Sequence, residues 1–286
     1  MDHGKVIELY LVNGKRNSLV VAELSNWNGI AVKIPRIEVG SCNREEITQA
    51  GVYFLFCKED GEEKECVYIG ESDNVKQRLI RHMQDYKAGK EPYYWNTAVI
   101  FTSKNLNKTL ISYLENRFVE IARASDRYKV LTKKTRQNTV IKESQMAMME
   151  EFAAHVKLLM SALGYDGLYP YIPESPDGET SSKLLLLESG AFVAKGQITA
   201  QGFVLMKGAK ISKVVANSLR KEQIKTRNKY LESEAVKDYE TTKDILFSSP
   251  SAAAVFVLGY SVSGPQKWKT EDGTLLKDIE DDVVNS

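Results

Sequence analysis

The sequence predicts an α/β (α+β) protein: a small mixed β-sheet core flanked by helices, followed by a smaller α+β C-terminal domain. Three observations carry this. Val52 to Phe56 and Cys66 to Ile69 are short apolar runs separated by a charged turn, Lys58 to Glu65, which reads as a hairpin. Val75, Leu79 and Met83 recur every four residues directly after it, which reads as a helix. Pro170, Pro173, Pro176, Gly178 and Ser181-Ser182 then punctuate the chain, and new strand-like runs follow.

Taken in order, Val6 to Val12, Leu19 to Leu24 and Ile30 to Ile34 are β-like, with Asn13-Gly14 as a hairpin turn between the first two. Ser72 is the expected cap of the helix after the hairpin. Tyr93 to Phe101 reads as a strand. Asn107 then starts a helix whose stripe is Leu110, Ile111, Leu114, Phe118 and Ile121. From Lys142 to Leu163 a helical pattern runs through Met146, Met149, Phe152, Val156, Leu159 and Leu163, with Gly164 as its stop. Beyond the Pro/Ser stretch, Leu184 to Leu187, Ala191 to Val193 and Phe203 to Met206 look like strands. Ser249 caps and Pro250 opens a helix through the alanines, which Gly259 ends. The expected divisions are a β-rich extension at 1–47, a core unit at 48–140, a helix and linker at 141–182, and a C-terminal domain at 183–286.

Composition excludes several classes. A net charge of +1 says nothing about nucleic acid for the whole chain. Local charge says more: six basic residues against Asp126 between Arg123 and Arg136, and eight against Glu222 between Lys207 and Lys229. Lys133, Lys134, Arg136, Lys207, Lys210 and Lys213 are the expected phosphate contacts. Cys42, Cys57 and Cys66 form no Cys-x-x-Cys pair, so a structural zinc site is not expected, and an odd, small number of cysteines fits a reducing cytoplasm. No apolar run approaches the ~20 residues of a membrane span. No helix shows a base-reading pattern.

The chemistry concentrates in Gly51-Val52-Tyr53, Tyr68-Ile69-Gly70, Arg78 and His82. Arg78 and His82 are four apart, so they project from one helix face. Two phenols on a hairpin and an Arg/His pair on the next helix can converge on one phosphate. Each residue alone has a plainer reading: half-buried strand tyrosines, a solvated helix arginine, a satisfied core histidine.

In order and spacing these residues resemble the GIY-YIG nuclease family, over roughly residues 48 to 140, with Val52 in place of the first triplet's Ile. The family adds a metal-binding Glu, matched by Glu115, and an Asn, matched by Asn138 at a longer spacing. The resemblance implies a divalent-metal-dependent endonuclease acting on DNA. Tyr53 would be the general base toward water, in cationic surroundings that favour a phenolate, and His82 would relay its proton. Tyr68 would orient the water or the phosphate, Arg78 would stabilise the phosphoryl oxygens, and Glu115 would hold Mg²⁺ or Mn²⁺. About residues 180 to 280 are similar to the DUF4357 type of domain, through Ala200-Gln201-Gly202-Phe203, Ser249 to Ala254, Gly259 and Trp268-Lys269. Ser263-Gly264-Pro265 stands where that pattern has an Asn-Gly-Trp-like turn. This part is expected to aid recruitment of DNA or of a protein partner. The alternatives are a catalytically silent nucleic-acid-binding module and a protein-interaction scaffold.

Overall fold

The computed structural model describes residues 4–15, 17–58, 64–133, 141–171, 184–217 and 219–285. The chain divides into two compact units, Met1–Pro170 and Tyr171–Ser286.

Unit one is built on a seven-stranded sheet. Its strands are β1 (Ile7–Leu11), β2 (Val20–Leu24), β3 (Ile30–Pro35), β4 (Gly51–Cys57), β5 (Cys66–Ser72), β6 (Trp95–Thr102) and β7 (Lys129–Val130), in the order β1-β2-β3-β6-β4-β5-β7. Every pairing is antiparallel except β5 with β7, so the sheet is mixed as expected. The N-terminal strands do not stand apart. β3 pairs with β6 from Ile30↔Thr102 to Pro35↔Thr97, which makes β1–β3 a continuation of the core sheet.

Strand alternation sends side chains to two faces. Val52, Phe54 and Phe56 join Val67, Ile69, Val99 and Phe101 on one face. Helix α2 (Lys108–Ser125) covers that face through Leu110, Leu114 and Phe118, together with α3 (Glu143–Ala162) through Phe152, Val156 and Leu159. Thus α3, the helix expected ahead of the linker, packs into the core of unit one. Its methionine at 149 packs in that core. Tyr53, Leu55 and Cys57 face the other way, under α1 (Val75–Lys87) with its Val75 and Leu79. Burying a side chain such as Phe54 completely contributes about 2–3 kcal/mol. Phe54→Ala would forfeit more, because a cavity remains.

The cap of α1 is Asn74 rather than Ser72. Asn74 Oδ1 accepts from Gln77 N–H, whereas Ser72 closes β5 and exchanges hydrogen bonds with the Asn74 backbone. The strand runs three residues further than its apolar run, to Ser72, which moves the helix start. Asn107 caps α2 as expected, accepting from the Thr109 and Leu110 N–H groups.

Unit two holds a five-stranded antiparallel sheet, β13-β10-β9-β8-β14. The strands are β8 (Leu184–Ser189), β9 (Phe192–Thr199), β10 (Gly202–Leu205), β13 (Ile245–Phe247) and β14 (Trp268–Lys269). The small hairpin β11 (Val236–Lys237) and β12 (Glu240–Thr241) lies beside it in sequence. Helix α4 spans Lys221–Leu231, α5 Pro250–Leu258 and α6 Leu276–Asn285. Helix α5 begins and ends as expected: Ser249 Oγ accepts from Ala252 N–H, Pro250 sits in the first turn, and Gly259 takes a left-handed φ of 75°. Phe203, Phe247, Phe256 and Trp268 form the core, and the Trp268 indole donates to the Pro250 carbonyl at 2.9 Å. The three cysteines are buried.

Candidate active site

Both glycines of the tyrosine triplets are fixed by close approach. A Cβ on Gly51 would overlap the Phe101 carbonyl oxygen on the neighbouring strand, and one on Gly70 would overlap the Tyr53 hydroxyl. The hairpin pairs Tyr53 with Gly70 and Leu55 with Tyr68. Tyr53 and Tyr68 therefore lie on the same face, with ring centroids 6.3 Å apart.

Helix α1 crosses this face and delivers Arg78 and His82 to Tyr53. Tyr53 Oη lies 2.9 Å from His82 Nε2, and Arg78 Nε donates to the same oxygen at 3.2 Å. The Tyr68 ring lies edge-on to the imidazole at 5.0 Å. Tyr53 and His82 are fully buried. Burial pushes the Tyr53 phenol above its ordinary range, Tyr68 adds to the shift, and Arg78 opposes it. The sequence suggested surroundings that favour a phenolate. In the folded protein burial outweighs the guanidinium, so the resting phenol keeps its proton. Burial also raises the Tyr68 phenol. His82 is pulled down to about 3 by burial, with Arg78, Arg36 and Arg81 adding to the effect, so the resting imidazole is neutral.

Tyr53, Tyr68 and Arg78 border a cavity of about 510 Å³ whose wall also includes Arg81, Lys108 and Glu115, with His82 buried behind Tyr53. Glu115 is half-buried on α2 and close enough for its charge to raise both phenols. Tyr53, Tyr68, Arg78, His82 and Glu115 thus converge, although they come from two strands and from helices on opposite faces of the sheet. Asn138, Lys134 and Arg136 lie outside the described residues. Lys133 is exposed in unit one, and Lys207, Lys210 and Lys213 are exposed in unit two. Lys207 and Lys213 lie in irregular segments after β10, and Lys210 makes an isolated β-bridge with Glu240. Arg227, part of the same basic stretch, is buried and donates to the Phe256 and Ser212 carbonyls, which takes it out of reach of phosphate.

Sequence reasoning missed three groups. Glu91 Oε1 lies 2.5 Å from His82 Nδ1, in a segment without periodicity that could have announced it. Glu71, one residue after the second triplet, is held by Lys108 at 2.6 Å and by the Ser112 hydroxyl at 3.3 Å. Strand alternation from Tyr68 would have placed Glu71 toward α2. Arg36 packs its guanidinium against the rings of Tyr86, Tyr94 and Trp95, and so pins the segment after α1 to β6.

The donor set suits a hard divalent cation held loosely. Among the described residues no group of three or more His, Cys, Asp or Glu side chains forms a closed metal cage. Glu115 on the wall of an open polar cavity, with Glu71 on the same wall, matches Mg²⁺, which takes one or two carboxylates, keeps several waters and completes its shell with substrate phosphate.

Residues 49–129 match the family model of the GIY-YIG catalytic domain, a nuclease-type hydrolase domain whose members generally use divalent metals. Residues 185–280 match the model of a domain of unknown function, DUF4357. No curated protein and no solved structure matches the chain. The first match contains Tyr53, Tyr68, Arg78, His82 and Glu115; Asn138 lies beyond its end.

Proposed function

We propose that unit one is a divalent-metal-dependent endonuclease that hydrolyses DNA phosphodiester bonds. The single observation that carries this is the Tyr53 hydroxyl. It is held between Arg78 Nε and His82 Nε2 on the wall of the cavity that Glu115 also lines.

The residues divide the work as follows. Arg78 and Arg81 seat a phosphate and offset its charge. Tyr68 orients it or the attacking water. Tyr53 Oη takes the water proton as the phenol proton passes to His82 Nε2, so a buried phenol never has to exist as an isolated anion. The new bond joins water oxygen to phosphorus, and the bond to the 3′ oxygen breaks. Glu115 would hold the cation, which when bound supplies positive charge to the phosphate and the leaving oxygen. Substrate also prepares the base. A phosphodiester on Arg78 and Arg81 offsets two of the three cations that depress His82, and so raises its basicity.

Unit two would assist by phosphate contacts through the exposed Lys207, Lys210 and Lys213, or by binding a protein partner. No described helix is long and apolar enough to cross a membrane. A cytoplasmic setting is proposed, which the small, odd number of cysteines suits. The test is conversion of supercoiled plasmid to nicked or linear DNA with Mg²⁺ or Mn²⁺. Cleavage that vanishes in EDTA and in Glu115→Ala supports the reading. Cleavage that survives Glu115→Ala, or none with either cation, rejects it.

A further inference from the structure

The hydrogen-bonding chain that begins at Tyr53 does not stop at His82. Arg78 is a donor without an acceptor, so the Tyr53 oxygen accepts from its Nε. The phenolic hydrogen must then find another acceptor, and His82 Nε2 lies 2.9 Å away. An imidazole that accepts at Nε2 carries its hydrogen on Nδ1, which needs an acceptor of its own. Glu91 Oε1 stands 2.5 Å from Nδ1. His82 is fully buried, so bulk water cannot replace either partner.

The chain path that brings Glu91 there is built deliberately. After α1, Ala88 and Gly89 N–H groups donate to the Gln84 and Tyr86 carbonyls, and Gly89 adopts a φ of 69°. The Lys90 N–H then returns to the Asp85 carbonyl. This turns the backbone back toward the helix it has just left, and Pro92 disfavours a helical conformation at Glu91. Glu91 thereby reaches a residue nine positions earlier, where no helical repeat would put it.

We infer that Glu91 is a positioning residue: its carboxylate fixes His82 in the tautomer whose bare Nε2 faces the Tyr53 hydroxyl, and steadies the imidazolium formed when that hydroxyl gives up its proton. The tautomer stands on the hydrogen bonds alone; its part in cleavage rests on the nuclease reading. The logic parallels that of a carboxylate orienting the histidine of a hydrolase triad, with a phenol in place of the serine. The ionisable groups facing His82 are Tyr53 from β4, Tyr68 from β5, Arg78 and Arg81 from its own helix, Arg36 from the turn after β3, and Glu91.

Long-range ¹H–¹⁵N NMR of the full chain tests the tautomer without any activity. The sequence has three histidines, and the His82 signals are those lost in His82→Gln. The expected spectrum shows His82 Nδ1 protonated and Nε2 bare in the wild type, with the proton moved to Nε2 or exchanging between the nitrogens in Glu91→Leu. A wild-type His82 protonated at Nε2 overturns the inference whatever the enzyme does, and needs no variant to fold. In plasmid nicking, Glu91→Leu is expected to lose ~10²–10⁴-fold in kcat with little change in KM, and Glu91→Asp to recover part of it. Glu91→Leu should cost little more in a His82→Gln background, because both remove one relay. Full activity of Glu91→Leu, in a preparation where Glu115→Ala is inactive, overturns the positioning role and leaves the nuclease reading intact. If wild type cleaves nothing, that reading falls, and the spectrum alone decides the tautomer.

Discussion

Gly70 leaves room for Tyr53 and for no more than that: a methyl group on its α-carbon would overlap the phenolic oxygen across the hairpin. The second glycine of the paired motifs is therefore a space for the first motif's tyrosine. Gly70→Ala is expected to fold, to lose about 1–3 kcal/mol by overpacking, and to displace the hydroxyl from His82 and Arg78. Thermal melts and nicking rates measured together would show activity falling by far more than the fraction unfolded. Unchanged cleavage would mean that the hydroxyl need not stay where it is.

Removing either end of the proposed machinery should stop chemistry and spare binding. Tyr53→Phe and Glu115→Ala are each expected to lower kcat by ~10²-fold or more. Affinity for a DNA duplex, read by fluorescence anisotropy, should change no more than a few-fold. Wild-type rates in Tyr53→Phe would remove the phenol from the reaction.

Acid should weaken the fold through His82. Its folded pKa, about 3, lies below the ordinary 6.5, so between these values the unfolded chain binds the proton and the native state does not. Stability from this group is complete above pH 6.5 and drains away as the pH falls, by about 1.4 kcal/mol per unit. Glu91, whose carboxyl burial and Asp85 raise, takes up a proton more readily when folded and offsets part of the loss. Urea melts from pH 7 to 4 should show a steeper decline for wild type than for His82→Gln. Parallel declines would contradict a neutral buried imidazole.

The caps hold the site's two helices in register. Asn107→Ala removes the acceptor for two N–H groups at the start of α2, the helix that carries Lys108 and Glu115. The expected cost is ~1 kcal/mol, seen as a lower urea midpoint at constant m-value.

Exposed lysines of unit two should govern salt dependence if that unit touches DNA. Reversing Lys207, Lys210 and Lys213 to Glu is expected to flatten the plot of log affinity against log salt by ~2–3 in slope. An unchanged slope would favour recruitment of a protein.

Much of this was legible in the sequence, for definite reasons. Short continuous apolar runs marked β2 and β4, because β4 is buried on both faces of the sheet, and the four-residue recurrence of Val75, Leu79 and Met83 marked α1, because that helix buries one face. Tyr53, Tyr68, Arg78 and His82 were readable because their mutual placement is local: one hairpin and one turn of helix. Glu91 was not, because a backbone reversal at Gly89 places it and leaves no period behind. The union of β1–β3 with the core was equally silent, since an edge strand looks the same in sequence whether or not a neighbour pairs with it. Ser72 misled for a related reason: a serine before a helix is a good cap anywhere, and only the extra length of β5 hands that task to Asn74.

The segment from Tyr53 to Glu91 is contiguous, and its hydrogen-bonding chain closes without help from α2 or from the N-terminal strands. Short separations close at small entropic cost, so these contacts are favoured early in folding, whereas Glu115 has to await the docking of a later helix. We expect pulsed hydrogen exchange to protect β4, β5 and α1 ahead of α2. The nascent chain would then hold the proposed proton path before the proposed cation ligand, and complete the candidate site only once α2 has docked.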